Sequence, residues 1–334
     1  MIKRILYLYI LIMCPGLAFA QINTDRVMAI GRNALYFEDY VLSIQYFNQV
    51  INAKPYLSDP YFYRGLAKIN LDDFQGAESD CSEAIERNPF VVSAYQVRGL
   101  ARIQQNNFAG AIEDYTKALE FDPENIGVWH NMALCRIRQE DYKGAKNDLD
   151  KLIAISPRYT KAYLMRGEVD LKQKDTLAAE KDFGKAIEID RYDADTWASR
   201  AILRLQQQRY KDAEADFDHA IRLSTRNSGV YINRALARYH QNNLRGAMSD
   251  YDIALDIDPN NFIGHYNRGL LRAQVGDDNR AIQDFNFVIE MEPDNMMAIF
   301  NRGLLLDQTG DYKGAIKDYS TVINEYPNFL LGYQ

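Results

Sequence analysis

Residues 228–261, SGVYINRALARYHQNNLRGAMSDYDIALDIDPNN, align without a gap with residues 262–295, FIGHYNRGLLRAQVGDDNRAIQDFNFVIEMEPDN. Prolines continue this 34-residue register in both directions, at Pro55, Pro89, Pro123, Pro157, Pro259, Pro293 and Pro327. Self-similarity at a fixed period is the signature of a repeat architecture. Counting positions 1–34 from Thr24, the chain carries nine repeats, at approximately 24–57, 58–91, 92–125, 126–159, 160–193, 194–227, 228–261, 262–295 and 296–329.

The columns of each repeat carry the pattern of two short helices. Position 4 is usually aromatic, position 8 is Gly or Ala, position 20 is nearly always Ala, and position 24 is mostly aromatic. Positions 4, 8 and 11 share one helical face, as do positions 20, 24 and 27. Asp and Gly near positions 15 and 16, as in Gly276-Asp277, predict the turn and the N-cap of the second helix, and Pro at position 32 predicts its end. The fold predicted is an all-α solenoid of nine helix–turn–helix repeats, stabilised by stacking of neighbours.

These columns resemble the tetratricopeptide repeat family over about nine-tenths of the chain. The resemblance implies a right-handed superhelix whose first helices line a concave groove that binds peptides or partner proteins. In that family, positions 5, 6 and 9 are among those that line the groove. The candidate partner-binding residues in this chain are Phe62, Leu100, His130, Asn131, Leu134, Leu164, Ile232, Asn233, Leu236, Tyr266, Asn267, Leu270, Phe300, Asn301 and Leu304.

An apolar strip bordered by asparagines suits an extended peptide, because the amides can bond the main chain while apolar groups contact side chains. For any one leucine at position 9, packing between adjacent helices is the alternative. We therefore expect a non-catalytic protein–protein interaction scaffold. Two alternatives remain: an accessory subunit of an envelope enzyme complex, and a structural protein that self-associates end to end. The net charge of −7 argues against nucleic acid as the partner.

One pair of columns departs from the family pattern. Position 7, normally apolar in the family, is Arg in seven repeats, and the same repeats have Asp at position 23. Repeat four keeps Asp148 but has Met132, and repeat one has neither residue. The pattern favours a ladder of salt bridges within repeats over a row of anion-binding sites. The pairs are Arg64–Asp80, Arg98–Asp114, Arg166–Asp182, Arg200–Asp216, Arg234–Asp250, Arg268–Asp284 and Arg302–Asp318.

No constellation of catalytic or metal-binding residues stands out. Cys81 and Cys135 occupy separate repeats and are expected to be buried small hydrophobes without a bridge between them. The four histidines fall in different columns, at His130, His219, His240 and His265. Neither a phosphate-binding glycine loop nor a nucleophile elbow is present. We expect no catalytic activity and no cofactor.

The N-terminus has the pattern of a secretory signal peptide at residues 1–20. Lys3 and Arg4 precede an apolar run, and Ala18-Phe19-Ala20 is a small-x-small site that predicts a mature chain of residues 21–334. A retained anchor and a lipoprotein attached at Cys14 are the alternatives. We expect an exported protein, periplasmic in a two-membrane bacterium and secreted otherwise, with no membrane insertion after cleavage.

The last residues begin a tenth repeat. Leu330 and Tyr333 fall at its positions 1 and 4, so residues 330–334 make a partial unit. Repeat arrays usually need a polar cap, and the helix at 315–325 is expected to expose its packing face. Three hypotheses follow: the tail is a minimal cap, a partner or second copy covers the face, or the native chain is longer.

Overall fold

The computed structural model describes residues 23–224 and 226–325, and within them all regular structure is α-helical. The predicted signal peptide at 1–20 and the partial repeat at 330–334 lie outside the described residues. The chain divides into two compact units, residues 1–159 and 160–334, at the boundary between the fourth and fifth repeats. The all-α prediction is confirmed.

Each repeat contributes one pair of helices. In the first unit these are α1 Thr24–Tyr36, α2 Tyr40–Ala53, α3 Asp59–Ile69, α4 Phe74–Arg87, α5 Val92–Gln104, α6 Phe108–Phe121, α7 Ile126–Arg138 and α8 Tyr142–Ile155. In the second unit they are α9 Thr160–Lys172, α10 Thr176–Ile189, α11 Ala194–Gln206, α12 Tyr210–Leu223, α13 Ser228–His240, α14 Leu244–Ile257, α15 Phe262–Gln274, α16 Asp278–Met291, α17 Met296–Gln308 and α18 Tyr312–Glu325.

The turn inside each repeat is built by backbone geometry at positions 15 and 16. In repeat one, the Asp39 backbone N–H donates to the Ala34 carbonyl at 2.9 Å, closing the first helix, and the Asp39 carboxylate accepts from the Leu42 N–H at 3.1 Å, capping the second. Position 15 is left-handed in all nine repeats, yet only Gly276 and Gly310 are glycines. The other seven repeats have a residue with a Cβ at this position, for which the left-handed conformation costs roughly 1 kcal/mol.

The core of each repeat lies where its two helices cross at positions 8 and 24. A Cβ on Gly167 would lie 2.6 Å from Cε1 of Phe183, so glycine lets the ring lie against the first helix. Phe183 and the position-20 residue Ala179 are fully buried. The prediction that small residues allow a close crossing surrounded by aromatic side chains is confirmed.

The two cysteines in the described residues are buried and not bridged to each other, as expected. Cys81 takes the place of the aromatic residue at position 24, beneath Gly65. Burial raises the pKa of the Cys135 thiol to about 11 and raises that of Cys81 as well. Both therefore remain protonated and unreactive at neutral pH.

Neighbouring repeats stack in the same way within each unit. Every second helix packs on the first helix of the next repeat in its unit, as α4 does on α5 and α12 on α13. First helices of neighbouring repeats also contact each other, including α3 with α5 and α15 with α17. Their free sides therefore form one face in each unit. Over the described residues, no helix combines the length and the apolar composition that crossing a membrane requires.

Candidate protein-binding face

The most apolar part of the first-helix face lies on α15 and α17. Ile263, Tyr266 and Leu270 follow one side of α15, because residues three, four and seven apart share a helical face. Ile263 is 50% exposed and Leu270 is 39% exposed. The equivalent residues of α17 are Met297, Phe300 and Leu304. Met297 and Leu304 are also exposed. We call these six residues the α15–α17 strip.

Two amides lie among the residues of this strip. Asn301 Nδ2 donates to the Tyr266 hydroxyl at 3.2 Å, which shows that the side chains of the two helices adjoin. Asn267 occupies the same column on α15 and is half-buried. The face thus combines apolar side chains with amide groups, which is the chemistry expected for binding an extended peptide.

On α13 the predicted residues differ in how far they are exposed. Leu236 and Asn233 are half-buried at the face, although Asn233 Nδ2 donates to its own helix, at the Gly229 carbonyl, at 2.9 Å. Ile232 is only 7% exposed and belongs to the core that surrounds Tyr251. A Cβ on Gly264 would lie 3.4 Å from Cδ1 of Ile232, so the backbone of the next repeat covers the Ile232 side chain at this glycine. Ile232 is therefore a packing residue and is corrected as a partner-binding candidate.

Elsewhere the first-helix face is more mixed. In the first unit Leu100 is 38% exposed, whereas Phe62, Asn131 and Leu134 are half-buried. His130 is also half-buried, and its Nδ1 lies 3.3 Å from the hydroxyl of Tyr159.

In the second unit, Leu164 packs partly against the core around Phe183. One turn further along the same helix, Glu168 interrupts the apolar column. Desolvation by the surrounding protein and the nearby Asp195 raise its pKa. Among the described repeats, positions 2, 5 and 9 are all large and apolar in repeats eight and nine alone.

Two residues of the strip, Ile263 and Met297, were not among the sequence candidates. They stand at position 2, which the family resemblance also assigns to the groove, and other repeats have small or polar residues there, such as Asp59 and Gly229. A comparison along the position-2 column would have identified both, because a large apolar residue there is unusual among these repeats.

The predicted arginine–aspartate ladder is confirmed in all seven repeats. In repeat seven, Arg234 donates from Nε and Nη2 to the two carboxylate oxygens of Asp250, at 3.0 and 2.6 Å. Arg238, one turn further on, adds a bond from Nη1 to the same carboxylate at 2.9 Å. The carboxylate is 1% exposed, so its charge is balanced by two arginines inside the repeat.

The same arginine also links neighbouring repeats. Arg234 Nη1 donates to Asp218, at position 25 of the preceding repeat, at 2.7 Å. Arg98 makes the equivalent bond to Ser82 at 3.1 Å. The ladder therefore stabilises both the pairing of helices within a repeat and the stacking of neighbouring repeats. Its arginines are already hydrogen-bonded to side chains of this protein.

Repeat six lacks this second link. Gly184 stands at position 25 of the preceding repeat, and a Cβ there would lie 4.0 Å from Arg200 Nη1. Arg200 still forms the bidentate pair with Asp216, at 2.8 and 2.9 Å, and its guanidinium lies over the Trp197 ring, 5.1 Å from the centroid. Arg200 consequently depends on Asp216 more than the other ladder arginines depend on their aspartates.

Repeat four shows what the ladder does to a buried carboxylate when one arginine is missing. Met132 replaces the position-7 arginine, and Asp148 keeps only Arg136, whose Nε lies 2.8 Å from Oδ2. Burial, only partly offset by Arg136, raises the pKa of Asp148 to about 6. In the unfolded chain the value would be about 3.9.

We therefore expect the charge on Asp148 to destabilise the folded protein at neutral pH. The folded state holds the proton more tightly, so this residue makes the free energy of unfolding fall as pH rises from about 4 to about 6, by about 1.4 kcal/mol per pKa unit. Asp148→Asn removes the charge and keeps an acceptor for Arg136. Urea unfolding between pH 4 and pH 7 should show the variant more stable than wild type at pH 7 and no more stable at pH 4.

The matched control is Asp284→Asn. Although burial opposes it, hydrogen bonds from His265 and Arg268 hold the pKa of Asp284 below its ordinary value. Its charge stabilises the folded protein, so this variant should be less stable than wild type at pH 7. Equal losses in both variants would contradict the assignment for Asp148.

No cluster of three or more potential metal ligands occurs among the described residues. The histidines have structural partners of their own: His219 stacks on Trp197 at 4.3 Å, and His240 stacks on Tyr210 at 4.6 Å. His265 Nε2 lies 3.0 Å from the Pro259 carbonyl oxygen, which places the ring between α15 and the preceding loop.

The repeats are also found by comparison with known families. Models of the tetratricopeptide repeat match residues 99–135, 126–159, 160–193, 199–262 and 266–328. Together they cover about two thirds of the chain, and its helix pairs stack as consecutive repeats. The chain belongs to the tetratricopeptide repeat family, as the sequence predicted.

Solved structures of similar fold come from diverse proteins. A tetratricopeptide repeat protein from Parabacteroides merdae is 21% identical, with a TM-score of 0.56 over 75% of this chain and 98% of its own. A chain of the Cut9–Hcn1 hetero-tetramer of the APC/C is 14% identical, with a TM-score of 0.57 over 87% of this chain and 57% of its own. Pseudomonas aeruginosa pilF is 19% identical, with a TM-score of 0.54 over 65% of this chain and 97% of its own. At these identities the likeness concerns the fold alone. No curated protein matches the chain in sequence.

Proposed function

We propose that this protein is an exported, non-catalytic scaffold that binds an extended, largely apolar segment of a partner protein along its first-helix face. The observation that carries the proposal is the α15–α17 strip, where apolar side chains remain exposed next to amide groups. Contiguous apolar surface of this kind marks interaction sites on soluble proteins. Membership of a repeat family whose members serve mainly as protein-binding scaffolds supports the same reading.

The strip favours a peptide over a charged ligand. Its six residues carry no charge, and the nearby ladder arginines are already bonded to aspartates. An anionic partner would therefore find few free cations on this face. A segment with apolar side chains at alternate residues could place them against Leu270 and Leu304 while its main chain meets Asn267.

The first experiment is affinity capture from an extract of the producing cell's envelope, followed by mass spectrometry. The variant Leu270→Glu/Leu304→Glu should lose the partners that wild type retains. Burial of one leucine contributes about 1.5–3 kcal/mol, so the loss of both should weaken binding of an isolated partner about a hundredfold or more. Titration calorimetry with that partner would measure the change.

The control variant is Leu177→Glu/Ile253→Glu. Both residues are exposed, at 81% and 37%, and both lie on second helices. This control changes the net charge by the same amount and removes more exposed apolar surface but leaves the strip intact, so it should retain the partners. Identical partner lists for the two variants would exclude the strip as the binding face.

Export rests on the pattern at residues 1–20 and is tested on the same preparation. The intact mass should correspond to residues 21–334, since cleavage is expected after Ala20. A retained residue 1 or a lipid on Cys14 would support one of the alternatives instead.

A further inference from the structure

Within each unit, neighbouring repeats meet through the same columns. Position 14 of one repeat reaches position 21 of the repeat before it: Gln105 Nε2 donates to Glu78 Oε2 at 2.8 Å. The equivalent bond from Gln241 to Glu214 measures 2.7 Å. Position 11 meets the same acidic residue, with Arg238 Nε 2.7 Å from Glu214 Oε1. Position 14 also approaches position 17, because Gln241 Nε2 lies 3.4 Å from the Tyr210 carbonyl.

On α18 the columns that receive a following repeat are apolar and exposed. Tyr312 at position 17 and Ile316 at position 21 are each 65% exposed. Where another repeat follows, the same columns are half-buried, as at Phe108 and Ile282. We call Tyr312 and Ile316 the trailing face.

In repeat one, the columns that meet a preceding repeat elsewhere in the array are also apolar. Phe37 at position 14 is 77% exposed, and Ile30 at position 7 is 36% exposed. Five repeats have Gln at position 14 and seven have Arg at position 7, so repeat one replaces both polar contacts with apolar side chains. We call Ile30 and Phe37 the leading face.

These two faces are complementary in the register that the internal junctions define. A leading face stacked on a trailing face would place Phe37 against Tyr312 and Ile316, where internal junctions have Gln against Glu. Exposed charges near the two faces include groups of opposite sign: Glu38 and Asp39 follow Phe37, while Lys313 and Lys317 lie near Ile316, together with the acidic Asp311 before Tyr312. Opposite charges of this kind favour the encounter of the two surfaces.

We propose that the trailing face of one molecule binds the leading face of a second copy of this chain, continuing the repeat register from molecule to molecule. A contact between two different faces is heterologous and leaves one of each free at the ends, so it generates open chains. The inference is independent of the proposed peptide-binding function, because none of its residues belongs to the α15–α17 strip.

The test is analytical ultracentrifugation of the purified protein, as processed by the cell that makes it, over the widest concentration range its solubility permits. Wild type should show an average mass that rises steadily with concentration through multiples of the monomer. Phe37→Gln and Ile316→Glu each install a residue found at the same column inside the array. Both sites are exposed, so the fold should survive, and each variant alone should remain monomeric.

An equimolar mixture of the two variants distinguishes this geometry from others. Phe37→Gln retains a trailing face and Ile316→Glu retains a leading face, so the mixture can form at least one intact contact and should associate at concentrations where each variant alone stays monomeric. Leu177→Gln removes an equally exposed apolar residue outside both faces and should associate like wild type.

Three outcomes would overturn the proposal. A wild-type protein that stays monomeric at every concentration would show that the trailing face is covered differently, for instance by residues 326–334. Association of Ile316→Glu equal to that of wild type would place the contact elsewhere. Closed dimers of each single variant would indicate like-to-like pairing of one face.

Discussion

The free energy of unfolding of the Asp216→Ala variant is expected to be about 3 kcal/mol below that of wild type, toward the lower end of the range for breaking a buried ion pair. The Asp216 carboxylate balances Arg200 and also accepts from Arg204 Nη1 at 2.8 Å. The side chains of these arginines are only 16% and 17% exposed, so their charges keep limited contact with water. Arg204 retains Glu180, but Arg200 faces Gly184 and has no carboxylate in the preceding repeat.

Two further variants separate a stranded charge from a lost contact. Asp252→Ala removes a carboxylate that is 50% exposed and 2.8 Å from Arg268, and it should cost less than about 1 kcal/mol. In Asp216→Ala/Gly184→Asp, a carboxylate is supplied at the column where Asp218 pairs with Arg234, and part of the loss should be recovered. Chemical denaturation measures all three, and an unchanged midpoint for Asp216→Ala would refute the ladder as a source of stability.

The fold could be predicted from the sequence because the same pattern of residues recurs in all nine repeats. One helix of this length with a single small residue would be ambiguous, but Gly or Ala at position 8 beside Ala at position 20 indicates a crossing in every copy. The ladder was predictable for a similar reason. An Arg and an Asp that are jointly absent from repeat one and jointly present in seven others behave as a pair.

The candidate face was less predictable, since exposure depends on the neighbour and not on the column alone. Ile232 and Tyr266 share position 5, yet Ile232 is covered because Gly264 of the following repeat brings its backbone close. The left-handed turns were also missed in most repeats. Glu140 and Lys174 occupy position 15 with positive φ, and only the closing bonds of the turn explain why these residues tolerate it.

The variant Phe183→Ala is expected to cost about 3–5 kcal/mol, the range for removing a fully buried aromatic side chain. The ring packs with Leu203 of the next repeat and with Leu164 of its own, so the cavity weakens both the helix pair and the stacking. Phe183→Leu introduces the residue that repeat four has at this position, where Leu149 is fully buried, although repeat five keeps Gly167 in place of Ala133. The leucine fills most of the space of the ring and should cost only about 1 kcal/mol.

Because repeats contact mainly their neighbours, the loss should be local. Hydrogen exchange of Phe183→Ala should speed up in α9, α10 and α11 and remain at the wild-type rate in α1–α4. Uniform acceleration through all the described helices would instead mean that the chain unfolds as one cooperative unit, with no weak repeat.

The close crossing at Gly167 allows a stricter test of the same core. A side chain on Gly167 would enter the space of the Phe183 ring, since its Cβ would lie 2.6 Å from Cε1. Gly167→Leu alone should therefore be destabilising through overpacking. In Gly167→Leu/Phe183→Ala the leucine fills the cavity, and we expect the double variant to be more stable than either single variant. Additive losses in the double-mutant cycle would show that the two positions do not share one space.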